Sequence, residues 1–145
     1  MATYDLSTSR RFVNRAFGLL VRVGIGPSNA HLLTTIGRKT GQPRTTPVAL
    51  VERHGEGWLV SPYGTRPWVL NARAAGRVEL RRGRTRTEWN IEETDATTAA
   101  AVLRQYLAEN KITAPYFDAT TEDGDSAFEA EASRHPVFRL RPAVG

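Results

Sequence analysis

Short runs rich in valine, leucine, threonine and tryptophan follow one another along this chain with little but turns between them, and that spacing constrains the fold most. His31 to Thr35 reads as a strand, Gly37, Arg38, Lys39, Thr40, Gly41, Gln42 and Pro43 as a turn, and Arg44 to Arg53 as the returning strand. His54, Gly55, Glu56 and Gly57 make the next turn, and Trp58 to Ser61 a third strand. Further on, Arg77 to Arg82 and Arg84 to Glu93 flank a turn at Gly83, and Pro136 to Leu140 supplies a last strand. Strands joined by tight turns must pair antiparallel, because a parallel pair needs a long crossover. The expected class is therefore α+β, an antiparallel barrel with helices packed outside.

The helical periods are few. Pro67 suits the first turn of a short helix running to Ala75, with Gly76 as its stop. Thr94 and Asp95 start a second helix, in which Ala99, Val102, Leu103, Tyr106 and Leu107 recur at a spacing of about 3.6 residues up to Asn110. Ser126 to Ser133 is partly helical. Thr8 to Val23 sets Phe12, Val13, Ala16, Phe17, Leu20 and Val21 among arginines, which predicts an amphipathic helix within residues 1–26. Packing on the sheet is the favoured use of that helix; a lid over a site and peripheral contact with a membrane stay open. At 145 residues, 40% of them hydrophobic, the chain is expected to form a single domain over 1–145.

Composition removes several chemistries. There is no cysteine, so disulfides, thiolate metal sites and a cysteine nucleophile are excluded, and redox work would require a bound cofactor. His31, His54 and His135 are widely separated, without partners at metal-ligand spacing, so no metal is expected. Lys39 and Thr40 do not make a phosphate-binding P-loop, because Arg38 stands where glycine is needed and strands flank the turn on both sides. Met1 to Arg11 lacks a secretory pattern, and no apolar run approaches the roughly 20 residues of a bilayer span. A cytoplasmic location is expected, with membrane association left to the first helix.

The net charge of +5 favours an anionic partner. Acidic residues gather between Asp118 and Glu131, whereas Arg38 to Arg86 is arginine-rich, so the anion site belongs in the middle of the chain. The turn from Gly37 to Gly41, with Arg44 after it, brings cations, a hydroxyl and glycine-exposed amides together, a suitable set for phosphate or carboxylate. A solvated hairpin tip is the plainer alternative. Ser61, Pro62, Tyr63, Trp68 and Asn71 bring a hydroxyl, aromatics and an amide to one strand end and the helix after it, which suits a planar heteroaromatic ligand; Trp68 can equally be core. The arginines from Arg73 to Arg86 lack any nucleic-acid recognition signature, so no nucleic-acid partner is expected.

The run Leu33, Thr34, Thr35, Ile36, Gly37, Arg38, Lys39, Thr40, Gly41, Gln42, Pro43, Arg44, Thr45, Thr46, Pro47 closely resembles the signature of the deazaflavin-dependent nitroreductase family. Trp68 to Arg73 looks like that family's tryptophan-to-asparagine helix, and His135 to Leu140 like its closing strand. The resemblance implies a split β-barrel that binds the reduced deazaflavin coenzyme F-420 and passes hydride to quinones, nitroaromatics or activated C=C bonds such as those of conjugated esters and furanocoumarins. It also implies site roles. Arg38, Lys39 and Arg44 would hold the coenzyme's phosphate and polyglutamate tail, helped by Thr40 and Gly41. Thr46 and Pro47 would border the ring, and Ser61, Pro62, Tyr63, Trp68 and Asn71 would shape its pocket. Tyr116 is the candidate hydroxyl donor to the acceptor. Flavin mononucleotide is the second candidate ligand, and a non-catalytic carrier of the coenzyme or of an acidic lipid the second candidate function. Monomer and homodimer are both compatible with the sequence.

Overall fold

The computed structural model describes residues 29–143. The helix expected within residues 1–26, with its roles as lid or membrane contact, lies outside the described residues. Along the chain come β1 (Ala30–Ile36), β2 (Pro43–Arg53), β3 (Glu56–Val60), α1 (Pro67–Ala75), β4 (Arg77–Arg82), β5 (Thr85–Glu93), α2 (Ala96–Glu109), α3 (Asp125–Glu131) and β6 (Val137–Pro142). Short 3-10 segments, Lys111–Tyr116 and Ala132–Arg134, flank α3. Among the described residues the strands close a barrel in the order β1-β2-β3-β6-β5-β4, every neighbouring pair antiparallel. This is the α+β split-barrel architecture.

Alternation along the strands divides the apolar residues between two layers. Leu59 and Phe138 point into the barrel with Leu33, Val78, Leu80 and Leu140, while Trp58, Val60 and Val137 point outward beneath α2 and α3. Trp89 and Ile91, two residues apart and so on one face of β5, pack half-buried against the inner cluster. The β2–β3 turn is tighter than the sequence suggests. Only His54 and Gly55 turn, with φ of 53° and 76°, so Glu56 and Gly57 already belong to β3. A Cβ on Gly57 would sit 3.0 Å from Leu140 Cδ1, so the strand glycine makes room for the barrel core.

The helices accompany the strands as expected, and α1 also contributes to the barrel core, because its Val69 and Ala72 are buried in the inner cluster with Leu33, Leu59 and Phe138. Pro67 stands in its first turn, and Gly76, at φ 75°, ends it by donating its N–H to the Ala72 carbonyl at 2.7 Å.

Asp95 caps α2 by accepting from the Thr98 backbone N–H at 2.8 Å, and that bond holds its carboxyl below the usual carboxylate range. A depressed folded-state value means the cap stabilises above the unfolded value and fades as pH falls through the folded one. Asp95→Ala is therefore expected to lower the Tm at about pH 7 and to leave it nearly unchanged at about pH 2, a difference that paired thermal melts would read.

Candidate functional site

A cavity of about 640 Å³ opens where the β1–β2 loop, the loop after β3, the start of α1 and the end of α2 converge. Its basic rim is the β1–β2 loop. Gly37 N–H donates to the Gln42 carbonyl at 2.8 Å, and Gly41 N–H donates to the Gly37 carbonyl at 2.8 Å. Gly41 sits at φ 71°, where other residues are strained, and a Cβ on Gly37 would lie 2.7 Å from Thr40 Oγ1. Both glycines are thus demanded by the turn that presents Arg38, Lys39, Thr40 and Arg44 to the cavity.

Arg38 differs from the other cations of the loop. Asn71, buried at 3% exposure in α1, accepts from the Arg38 backbone N–H at 3.1 Å and from its Nη1 at 2.9 Å. Asn71 Nδ2 donates in turn to Thr35 Oγ1 at 3.4 Å. The amide therefore latches the basic loop onto α1, and part of the Arg38 guanidinium is committed to that latch. Lys39 on that loop and Arg44 at the start of β2 are exposed.

The wall opposite is aromatic and apolar. Trp68 lines the cavity and also meets Phe138 of the barrel core at 5.8 Å between ring centroids, so packing against the core does not remove it from the wall. Thr46 and Pro47 come from β2, and Pro62 and Tyr63 from the loop after β3. Gly41 and Ser61 do not line the cavity. Gly41 acts through the turn, whereas Ser61, fully buried, donates its N–H to the Pro136 carbonyl at 2.9 Å and its hydroxyl to the Gly64 carbonyl. Ser61 shapes the loop from behind.

Tyr116 is also set back. Its ring meets that of Tyr63 edge-on, with centroids 4.8 Å apart at 79°, and Tyr63 is the one that reaches the wall. Sequence reasoning passed over Arg66, a cavity-lining cation at the N-cap of α1, though a basic residue just before Pro67 was a usable signal. It also missed Tyr106, whose helical spacing reads as plain core. Tyr106 lines the cavity while 5% exposed, and burial, then the nearby Tyr63, pushes its phenol well above the ordinary value. It stays protonated and able to donate. Asn110, Ile112 and Thr113 complete that end, with Ile112 83% exposed.

The donor set can be tested against a deazaflavin coenzyme. Cations gather at one rim, an aromatic flank rises beside them, and the volume lies within the roughly 300–1,000 Å³ usual for small-molecule sites. A planar ring system bearing an anionic chain fits this combination. Among the described residues no helix is long and apolar enough to cross a membrane.

The sequence profile of the F420H(2)-dependent quinone reductase family matches residues 8–123. Among solved structures the chain is similar to an F420-H2 dependent reductase, at 21% identity over 79% of this chain and 95% of the other, with a TM-score of 0.56. It is also similar to a protein described as a domain-swapped dimer, at 20% identity, 92% and 96% coverage and a TM-score of 0.58. A conserved hypothetical protein from Mycobacterium tuberculosis matches at 19% identity, 99% and 85% coverage and a TM-score of 0.58. At these identities the likeness to the solved structures is one of fold.

Proposed function

We propose, from the premise that the chain belongs to the F420H(2)-dependent quinone reductase family, that its cavity seats the coenzyme ring against Trp68, Tyr63, Thr46 and Pro47. The anionic chain then lies on Lys39, Arg44 and Arg66, with Arg38, Thr40 and Gly41 holding the loop that presents it. The protein is an oxidoreductase of that family, and its cofactor is reduced F420. The observation that carries the site reading is the meeting, in one cavity, of the glycine-framed basic loop and the aromatic wall.

When bound, the reduced deazaflavin supplies a hydride to an organic acceptor. The protein's own residues orient, dry and polarise the site. Val48, Ala49 and Val60 line the cavity with apolar surface that excludes water, and Ile112 offers an exposed apolar contact at the end away from the basic rim. Charge grows on the acceptor's oxygen as it is reduced, and a hydroxyl aimed there stabilises it. Tyr63 and Tyr106 stand on the wall; Tyr116, the candidate named from sequence, acts on the acceptor through its edge contact with Tyr63. Quinones are the acceptors this apolar end favours, ahead of nitroaromatics and activated C=C bonds such as furanocoumarins.

Titration with reduced coenzyme followed by menadione tests the reading. Binding and menadione-dependent oxidation are expected; binding without oxidation would instead describe a carrier, and no binding would overturn the site. Flavin mononucleotide has no glutamate chain for the basic rim and is expected to bind more weakly. In the same assay Tyr116→Phe keeps that edge contact and is expected to match wild type, whereas Tyr116→Leu, which removes it, is expected to lower kcat by about two- to tenfold, the worth of roughly one aromatic pair. A kcat of Tyr116→Leu equal to wild type would remove Tyr116 from the mechanism.

A further inference from the structure

Behind the aromatic wall lies a buried acid–base pair that the hydride chemistry does not use. His135 and Glu131 have side chains only 2% exposed, with His135 Nε2 2.7 Å from Glu131 Oε1. The imidazole's other nitrogen, Nδ1, lies 2.9 Å from the Pro62 carbonyl oxygen. A carbonyl can only accept, so Nδ1 carries a proton and donates it to Pro62, whichever of Glu131 and His135 holds the proton they share. Glu131 is itself fixed, because its carboxylate accepts from the Asp118 N–H at 3.1 Å and the Ala119 N–H at 2.8 Å. Phe117 stacks on the imidazole with centroids 4.1 Å apart, which sets the ring plane. Outside the pair, Arg134 bridges Asp118 at 2.7 Å.

Pro62 and Tyr63 are the loop residues that line the cavity after β3 ends, where no ladder partner orients the backbone. Ser61 holds the start of this loop and Tyr116 packs on the Tyr63 ring, but the Pro62 carbonyl is held by His135. We propose that His135, anchored by Glu131, is a positioning residue of the coenzyme cavity: its Nδ1–H bond to Pro62 sets where Pro62 and Tyr63 stand against the ring. This rests on the cavity reading above. The acidic segment that forms α3, which contributes no residue to the cavity lining, thereby controls the fit of the ring and not the hold on the tail.

Two isosteric substitutions divide the histidine's bonds. The amide of His135→Asn can occupy the place of Nδ1 and keep the Pro62 bond, whereas that of His135→Gln reaches the place of Nε2 and keeps only Glu131. The measurements are Tm, and Kd by fluorescence titration for reduced F420 and for its ring compound without glutamates. His135→Asn is expected to bind both within about twofold of wild type, and His135→Gln to bind both about tenfold more weakly, the cost of one buried hydrogen bond. Glu131→Gln can still donate to Nε2 and accept from Ala119, and is expected to bind within about twofold of wild type. It serves as the second test if His135→Gln does not fold. Unchanged binding by His135→Gln, losses in both histidine variants that merely follow Tm, or a tenfold loss in Glu131→Gln would overturn the proposal. Absence of binding by the unaltered protein would overturn the cavity reading and this inference with it.

Discussion

Asn71→Ala is expected to weaken binding of the reduced coenzyme by about 100-fold and to lower stability by about 1–3 kcal/mol, because it strands several polar groups at once. Asn71 Oδ1 accepts both from the Arg38 backbone and from its guanidinium, and its Nδ2 donates to Thr35, itself 2% exposed. Alanine would leave the Thr35 hydroxyl without that donor and free the Gly37–Gln42 turn from α1. The loop cations would then have to be ordered by the ligand, and the entropy of that ordering would be subtracted from its affinity. Asn71→Asp can still accept from Arg38 at both positions and is expected to recover most of the binding. Titration of the three proteins, with a denaturant melt of each, separates the latch from simple contact with the ring. Equal losses in the alanine and aspartate variants would show that the amide matters only as a cavity surface.

Removing Lys39 and Arg44 together is the second large effect. Both are exposed on the rim and both face the cavity, and charge-assisted bonds to phosphate or carboxylate are worth about 1.5–3 kcal/mol each, so Lys39→Ala with Arg44→Ala is expected to cost at least about 100-fold in coenzyme affinity. The loss should fall on the tail alone. The ring compound lacking glutamates is expected to bind the double variant as it binds the wild type, and the remaining affinity for F420 should respond less to added salt. A loss shared equally by both ligands would mean that the two cations order the cavity instead of gripping an anion. The pattern is the reverse of that expected for His135→Gln, whose loss is the same with and without the tail.

Much of this site was legible as sequence because turn chemistry is local. A turn with glycine at Gly37 and Gly41 and cations between them has few ways to fold, and it closes through the two backbone bonds those glycines permit. Pro67 and Gly76 mark the bounds of α1 for the same reason. The alternation that places Trp89 and Ile91 on one face of β5 is equally local. Arg66 was legible and went unread.

Other features depend on which distant segments meet. Glu131 belongs by composition to an acidic surface run, yet barrel closure brings β6 beside β3 and buries that carboxylate against His135. Tyr106 repeats at the spacing of a core residue, and only the position of α2 against the barrel puts its phenol on the cavity wall. Tyr116 carries the hydroxyl that the sequence nominates, but the packing of the Lys111–Tyr116 turn sets its ring behind Tyr63.

The sequence by itself determined the antiparallel barrel class, the glycine-framed basic turn, and the family, since each rests on residues within a few positions of one another. Tertiary structure alone decided that α1 adds Val69 and Ala72 to the barrel core, that Arg38 is tied to Asn71 while Lys39 and Arg44 are presented at the rim, and that His135 holds Pro62 from behind. The two hydrogen bonds join residues 33 and 73 positions apart in the chain, and no local pattern specifies which buried polar group will find which partner.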